Sequence, residues 1–410
     1  MARATDRPDG TERITVRQRV PRTPARTSTR ATARATARTS PRPSRLAPPP
    51  APLSIGVDIG GTKVAAGVVD GEGRIAERVL AATPSHSPIA VEDTITAVVA
   101  DLRSRHPVET VGIGAAGWVD TDQSVVRFSP HLAWRQEPLK ARLEERIDLP
   151  LIVDNDANAA AWAEYRFGAG AGASVMVCIT LGTGIGGGLV LNGQLFRGSY
   201  GMAGEWGHMI AVPGGHLCEC GNRGCWEQYA SGNALVRDAK ALVASDSPVV
   251  QGLVEAVGGP DQITGPAITE AAVDGEPLAR ELLADIGRSL GVGIANLAAA
   301  LDPELVVVGG GVSAAGDLLL APTREAFERT LTGRGFRPQA RIELARFRND
   351  AGLIGAADLA RHSLIEPPGR VIGGFWPRRR RARRARVRRE PGPLRQVADQ
   401  VAAKRTQRRA

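Results

Sequence analysis

Between residues 53 and 361 the apolar positions fall into short runs bounded by glycine or by charge, and runs of four to eight such residues read as buried strands. Leu53–Asp58 is the first; it ends in an acid, passes through Gly60-Gly61-Thr62 and continues as Val64–Val69, a strand, tight turn and strand. Arg74–Leu80 reads as a third strand, Pro88–Arg105 as a helix and Val111–Gly114 as another strand. Leu151–Asp154 is a short buried strand, followed by a helix over Asn158–Phe167. The pattern then recurs. Ser174–Leu181 is a strand, Gly182–Gly188 a glycine turn and Leu189–Leu191 a strand, closed by Asn192-Gly193, a dipeptide favoured in two-residue hairpins. Glu227–Ala244 and Leu278–Leu301 are helical, Leu305–Val308 is a strand running into Gly309-Gly310-Gly311, and Ala351–Arg361 is the last helix. Strands alternating with helices place the chain in the α/β class. Two strand–glycine turn–strand units predict a duplicated architecture with one such turn per lobe.

The pattern stops at both ends. Arg22–Pro50 is Arg, Thr, Ala, Pro and Ser with almost no large apolar residue, too little to offset the entropy of ordering, so residues 1–52 are expected to be a disordered basic tail. Its composition matches an organellar transit peptide, but a low-complexity extension from a GC-rich reading frame, or a misassigned start, is the simpler reading. Residues 366–410, with the run Arg378–Arg381, are expected to be a second, largely disordered basic tail carrying at most a short helix over 391–405.

These ends change the meaning of the charge. The 410-residue chain has a net charge of +9, which by itself suggests a nucleic-acid partner. Yet residues 1–50 hold 12 Arg against 3 acids and residues 366–410 hold 15 Lys+Arg against 3, leaving 25 basic and 37 acidic residues in the 315 between. An acidic body lies between two basic tails. No specific nucleic acid is expected as a partner, and the tails are expected to bind polyanions at most non-specifically. Four Cys exclude a disulfide scaffold. The N-terminus has no apolar signal region, and the uncharged stretch Gly168–Phe196 is broken by nine Gly, so neither a secretory signal nor a membrane span is expected and the location reads as cytoplasmic.

Asp58-Ile59-Gly60-Gly61-Thr62-Lys63 places two glycines where backbone N–H groups can turn toward an anion, with the Thr62 hydroxyl and the Lys63 cation beside them. Asp58 leads the turn, where a carboxylate suits Mg²⁺, directly or through water. An ordinary hairpin has the same local sequence in a chain with 48 Gly. The turn after Leu181, with Thr183 and Gly184, is equally rich in donors, and Gly309-Gly310-Gly311 follows a third strand and precedes a helix. Three such loops in this order point to a nucleotide held between two lobes. The chain lacks the Walker A and GxGxxG spacings, which argues against a P-loop or a dinucleotide fold.

Three of the four cysteines cluster as Cys218-Glu-Cys220-Gly-Asn-Arg-Gly-Cys225, with His208 ten residues before the first. Cys₃His is a closed tetrahedral zinc set, so a structural Zn²⁺ is expected; buried or redox thiols are the other reading. Cys178, inside an apolar strand, reads as core. A metal here would also fix Glu205 and Glu227, which bracket the loop and suit sugar hydroxyls, although a lone carboxylate is more often a surface group or an ion-pair partner. Asn155-Asp156 ends a strand, where α/β folds place chemistry, and Asp156 serves equally well as an N-cap of the following helix.

Together these residues resemble the ROK family (repressor, open reading frame, kinase) of sugar kinases and regulators, and are closest to its zinc-containing bacterial glucokinases. The shared motifs are DIGGTK at 58–63, GAAGWVD at 114–120, NDANAAAWAE at 155–164, LGTGIGGG at 181–188, GEWGH at 204–208, CECGNRGCWE at 218–227 and VVVGGGVS at 306–313. The resemblance implies a two-lobed, actin-like (ribonuclease-H-like) α/β fold with a central cleft for nucleotide and sugar. The small lobe would span 53–157, completed by a helix at 351–363, and the large lobe 158–350. The resemblance further implies ATP and Mg²⁺ on the glycine turns, Asp156 as the base that takes the proton of the sugar 6-hydroxyl, and Asn155, Glu205, His208 and Glu227 as sugar contacts. His208 would also ligate zinc with Cys218, Cys220 and Cys225. The expected activity is phosphorylation of glucose to glucose 6-phosphate by a homo-oligomer, dimer or tetramer. N-acetylmannosamine, N-acetylglucosamine, fructose or mannose are alternative substrates. A sugar-responsive regulator is disfavoured, because residues 1–52 lack the apolar periodicity of a winged helix-turn-helix.

Overall fold

The computed structural model describes residues 52–365 apart from residue 246. Both expected tails, and the helix over 391–405, lie outside the described residues. Strand β1 (Leu53–Ile59) turns into β2 (Lys63–Val69) and β3 (Ile75–Ala82), and α1 (Pro88–Arg103) leads to β4 (Val108–Ala115). A small antiparallel sheet of β5 (Trp118–Val119), β6 (Val126–Phe128) and β7 (Arg135–Glu137) follows, then α2 (Leu139–Glu144), β8 (Leu151–Asn155) and α3 (Asp156–Phe167). The second half runs β9 (Val175–Leu181), β10 (Ile185–Leu191), β11 (Gln194–Leu195), α4 (Glu227–Ala230), α5 (Gly232–Ala244), α6 (Gln251–Val257), α7 (Gly265–Asp274), α8 (Pro277–Leu301), β12 (Leu305–Gly309), α9 (Asp317–Thr330), β13 (Arg341–Leu344) and α10 (Ala351–Ile365).

The two main sheets have the orders β3-β2-β1-β4-β8 and β11-β10-β9-β12-β13. In each, the first three strands are antiparallel and the last two run parallel to the strand that begins the unit. One topology therefore occurs twice, as in the actin-like fold. With few aromatics in the chain, the cores are Val, Ile, Leu and Ala: α1 and α2 cover the first sheet, and α5 to α9 pack with the second. Helix α8 is long and apolar enough by composition to cross a membrane, but its apolar face is buried in that second core.

Helices α3 and α10 join the halves. Ala159, Ala161 and Trp162 of α3 and Ala356, Leu359 and Ala360 of α10 share a core with Met176, Cys178, Leu305 and Val307 of the second sheet. Contact with the first sheet is backbone to backbone. A Cβ added at Gly112 of β4 would lie 1.8 Å from the Ala356 carbonyl oxygen and one at Gly56 of β1 1.9 Å from that of Leu353; between the two helices, one at Gly355 of α10 would lie 1.7 Å from the Ala159 carbonyl oxygen. Buried Asp358 accepts from the Trp162 indole at 2.9 Å, from Arg166 Nε at 2.9 Å and from Arg361 Nη1 at 2.7 Å. Arg361 also donates to the carbonyls of Pro52 and Val69, which ties the last helix to the first strands.

Two local expectations need correction. The expected glycine turn 182–188 is a short turn only, because β10 begins at Ile185. Gly187 and Gly188 are strand residues that let Trp206 and Ala161 approach the backbone; an added Cβ would lie 2.0 and 2.5 Å from their side chains. The expected helix 227–244 breaks at Ser231, which is extended and caps α5 by accepting from Ala234 N at 3.2 Å.

Because no side chain can yield at the Ala356 carbonyl, Gly112→Ala should cost about 3 kcal/mol or more in urea unfolding. A loss under about 0.5 kcal/mol would show that α10 can move away freely.

Candidate active site

Asp156 is the first residue of α3, and Asn155, not Asp156, is its N-cap, accepting from Asn158 N at 2.9 Å. The same Asn155 side chain donates to Asp156 Oδ1 and to the Gly117 carbonyl, each at 3.0 Å, and Ala157 N donates to Asp156 Oδ1 at 2.9 Å. The cap thus aims the acid. Asp156 lies recessed at the cleft floor. Loss of hydration there, with Asp58 and Glu205 nearby, pushes its pKa from 3.8 up to about 7. Burial also raises Asp58, to about 6, against the opposing pull of Lys63 and Arg78. Asp154, one residue before the cap, is structural: Arg197 Nη2 pairs with it at 2.5 Å, and Gln123 donates to it at 2.9 Å.

Asp58, Lys63, Asp156, Gly309 and Gly310 line one cavity of about 180 Å³. Gly310 has φ +83, and a Cβ there would strike the Leu181 backbone at 2.4 Å, so the third glycine loop lies directly against the end of β9. The other loop residues do not line this cavity. Gly60 and Gly61 are half-buried in the first turn, closed by Gly60 N donating to Lys63 O at 3.0 Å, while Thr62, Thr183 and Gly311 are exposed. The second turn is held to the start of α5 by Gly232 N and Asn233 N, which donate to the carbonyls of Gly182 and Thr183.

The ligand atoms of His208, Cys218, Cys220 and Cys225 all lie within 4.8 Å of one another. Cys220 Sγ and Cys225 Sγ are 3.6 Å apart, and Cys218 Sγ is 3.7 Å from His208 Nδ1. Zinc with bonds of about 2.3 Å to sulfur and about 2.0 Å to nitrogen spreads its ligands by about 3.5–3.8 Å, so the donor set and spacing fit that ion. The cluster faces both acids. Glu227 Oε1 accepts from Cys218 Sγ at 3.0 Å and lies 3.5 Å from His208 Nδ1, while Glu205 Oε2 lies 3.8 Å from His208 Nε2. Glu227 Oε2 reaches Ile185 N at 3.4 Å, beside the second glycine turn. Loss of hydration raises the Glu205 pKa, opposed by His208 and by a hydrogen bond from the Trp118 indole.

Three site features escaped sequence reasoning. Trp118, the donor to Glu205, comes from the small sheet, whose strands are too short to show periodicity; the GAAGWVD motif contains it but gives it no role. Glu164, which lines the cavity, accepts from Arg346 N and Phe347 N at 3.0 and 2.7 Å. Arg348 and Asn349, which also line it, sit in a single helical turn before α10 that carries no motif. The NDANAAAWAE motif ends on Glu164, and that was the one signal available for it.

A sequence model of the ROK family matches residues 54–363. The chain is 50% identical over 311 residues to the glucokinase of Streptomyces coelicolor, an alignment that spans 75% of this chain and 98% of that protein. It is 38% identical over 314 residues to the N-acetylmannosamine kinase of Escherichia coli, spanning 75% and 98%. The crystal structure of a ROK family glucokinase from Streptomyces griseus in complex with glucose and AMPPNP is 51% identical, with a TM-score of 0.70 and coverage of 76% of this chain and 99% of that one. With the duplicated sheets, the paired cleft carboxylates and a match over the whole folded body, the chain belongs to the ROK family.

Proposed function

We propose that the protein transfers the γ-phosphoryl group of ATP to the 6-hydroxyl of glucose, giving glucose 6-phosphate and ADP. The observation that carries this reading is Asp156: a carboxylate at the N-terminus of α3, aimed by its cap and held at about 7 in a cleft that also contains Asp58 and Lys63. A base of that strength both holds and releases a proton at neutral pH. The glucose and AMPPNP bound in the S. griseus relative support the choice of sugar and nucleotide.

In this reading Asp156 takes the proton of the 6-hydroxyl as its oxygen attacks the γ-phosphorus in line. Backbone amides of the glycine turns and Lys63 hold the phosphates. Asp58 would hold Mg²⁺, whose recessed oxygen donor suits a hard cation; bound there, the ion neutralises phosphate charge. Asn155, Glu205, His208 and Glu227 would receive the sugar hydroxyls. Structural zinc on His208, Cys218, Cys220 and Cys225 would fix the last three, leaving His208 Nε2 to face the sugar. The lobes, 53–157 with 351–363 and 158–350, would close on both substrates and exclude water as a competing acceptor. A cytoplasmic homo-oligomer is the assembly this reading implies, with tails that hold polyanions non-specifically; light scattering, and retention on heparin with and without the tails, check these two points.

A coupled ADP-release assay across glucose, mannose, fructose and the two N-acetylhexosamines should show the highest kcat/KM with glucose; another preferred sugar would move the assignment within the family. In the same assay Asp156→Asn should lose about 10²–10⁴-fold in kcat with glucose binding nearly unchanged, and near-normal turnover would remove Asp156 from the role of base.

The same variant has a stability signature. A carboxyl raised from 3.8 to about 7 keeps its proton in the folded protein where the unfolded chain has lost it. Its ionisation therefore destabilises progressively from about pH 4 to pH 7, and the whole cost remains above that range. In Mg²⁺-free buffer at pH 8, Asp156→Asn should be more stable than the parent, by at most about 4 kcal/mol, and the gain should vanish below about pH 4. A variant less stable at pH 8 would contradict the raised pKa.

Cys220→Ser should lose bound zinc and raise the KM for glucose more than the KM for ATP. Metal analysis beside kinetics checks this, and full activity in zinc-free protein would separate the metal from the sugar site.

A further inference from the structure

We infer that Arg348 is a nucleotide-binding residue, a second cation that, with Lys63 in the same cavity, holds the phosphate chain of ATP; this rests on the phosphotransfer reading above. Arg348 lines the same cavity as Asp58, Lys63, Asp156, Gly309 and Gly310. Its side chain is exposed and makes no hydrogen bond or ion pair among the described residues, unlike the neighbouring Arg346, which donates to the Phe167 carbonyl, and Asp350, which pairs with Arg78. Its backbone lies in the left-handed region, at φ +49. A residue with a Cβ adopts that conformation at a cost and keeps it only where the surroundings impose it.

The surroundings do impose it. Glu164, at the far end of α3 from Asp156, accepts from Arg346 N and Phe347 N, and Phe347 O accepts from Asp350 N at 2.9 Å. Immediately afterwards α10 begins, with Gly352 so close to Asp58 that an added Cβ would lie 2.7 Å from Asp58 Oδ2. The chain before Arg348 is thus bonded to one cavity-lining acid and the chain after it packs closely against another, while the guanidinium has no partner among the described residues. A guanidinium with no partner among the described residues, over a cavity that Lys63, Gly309 and Gly310 line together with the carboxylates of Asp58, Asp156 and Glu164, suits a polyphosphate, which it can grip through two oxygens at once while offsetting the repulsion of those acids.

The position also separates its role from that of Asp156. Glu164 lies eight residues along α3 from Asp156, about 12 Å of helix rise, and Arg348 follows the segment that Glu164 anchors. Arg348 therefore addresses bound nucleotide, not the hydroxyl being phosphorylated, and its loss acts on KM for ATP before kcat.

Arg348→Gly provides the test, because glycine removes the charge and relieves the backbone at once. In full-length protein, with glucose saturating, KM for ATP should rise about 5- to 50-fold, kcat and KM for glucose should stay within about twofold, and Tm should be equal to or above that of the parent. Arg348→Lys should recover part of the ATP affinity. An unchanged KM for ATP in Arg348→Gly overturns the inference, as does Arg348→Lys behaving like Arg348→Gly. A lowered Tm with both KM values raised overturns it too, since that pattern marks collapse of the loop. The parent protein reports separately on the underlying reading: if it releases no ADP with any sugar, phosphotransfer itself fails.

Discussion

The contact on which the rest of the molecule depends is the one between α3 and α10, where an alanine-rich helix and a glycine-bearing one meet with backbone atoms touching. Both helices also face the two sheets, so this contact sets where one half of the duplicated fold lies against the other. Helix α3 carries chemistry at both ends. Its first turn presents Asp156, aimed by the Asn155 cap, and its far end presents Glu164, which anchors the loop before α10. Close packing of this kind leaves little slack, and a site spread along one helix and the loop it holds keeps its geometry for that reason.

The electrostatics of the cleft run against the composition. The folded body is acidic, and the cleft floor adds two carboxylates whose hydration is largely removed. A highly negative ligand would be repelled by such a floor without compensation. What the described residues set beside those acids in the same cavity is Lys63, with Gly309 and Gly310 of the third glycine loop. The His and Cys cluster in turn lies against two further carboxylates. It sets Glu205 and Glu227, which bracket the cysteine loop, against one imidazole.

Much of this was legible in the sequence, and what was not has physical causes. Strands beside glycine turns were readable because apolar runs and turn residues act locally, and the His and Cys cluster because cysteines seldom lie so close in sequence without a reason. Gly186–Gly188 misled, since glycine marks either a turn or a close approach and only the partner, here Trp206 or Ala161, tells which. The small sheet around Trp118 has strands of two and three residues, below the length at which alternation is visible. The bond from Trp118 to Glu205 and the backbone of Arg348 are tertiary facts with no local trace. The charge sum pointed toward nucleic acid only until it was divided along the chain.

The bonds from Arg361 to the carbonyls of Pro52 and Val69, and the seat of α10 on β4, have a consequence for biosynthesis. The first sheet is translated early, but the helix that covers one of its faces is the last of the described elements to leave the ribosome. Until then that face, with Gly112 and its apolar neighbours, stays open to solvent and to other nascent chains. Contacts between such distant parts of a chain form slowly. The first half of this protein should therefore depend on chaperone protection during translation far more than the second, whose sheet and helices are nearly contiguous.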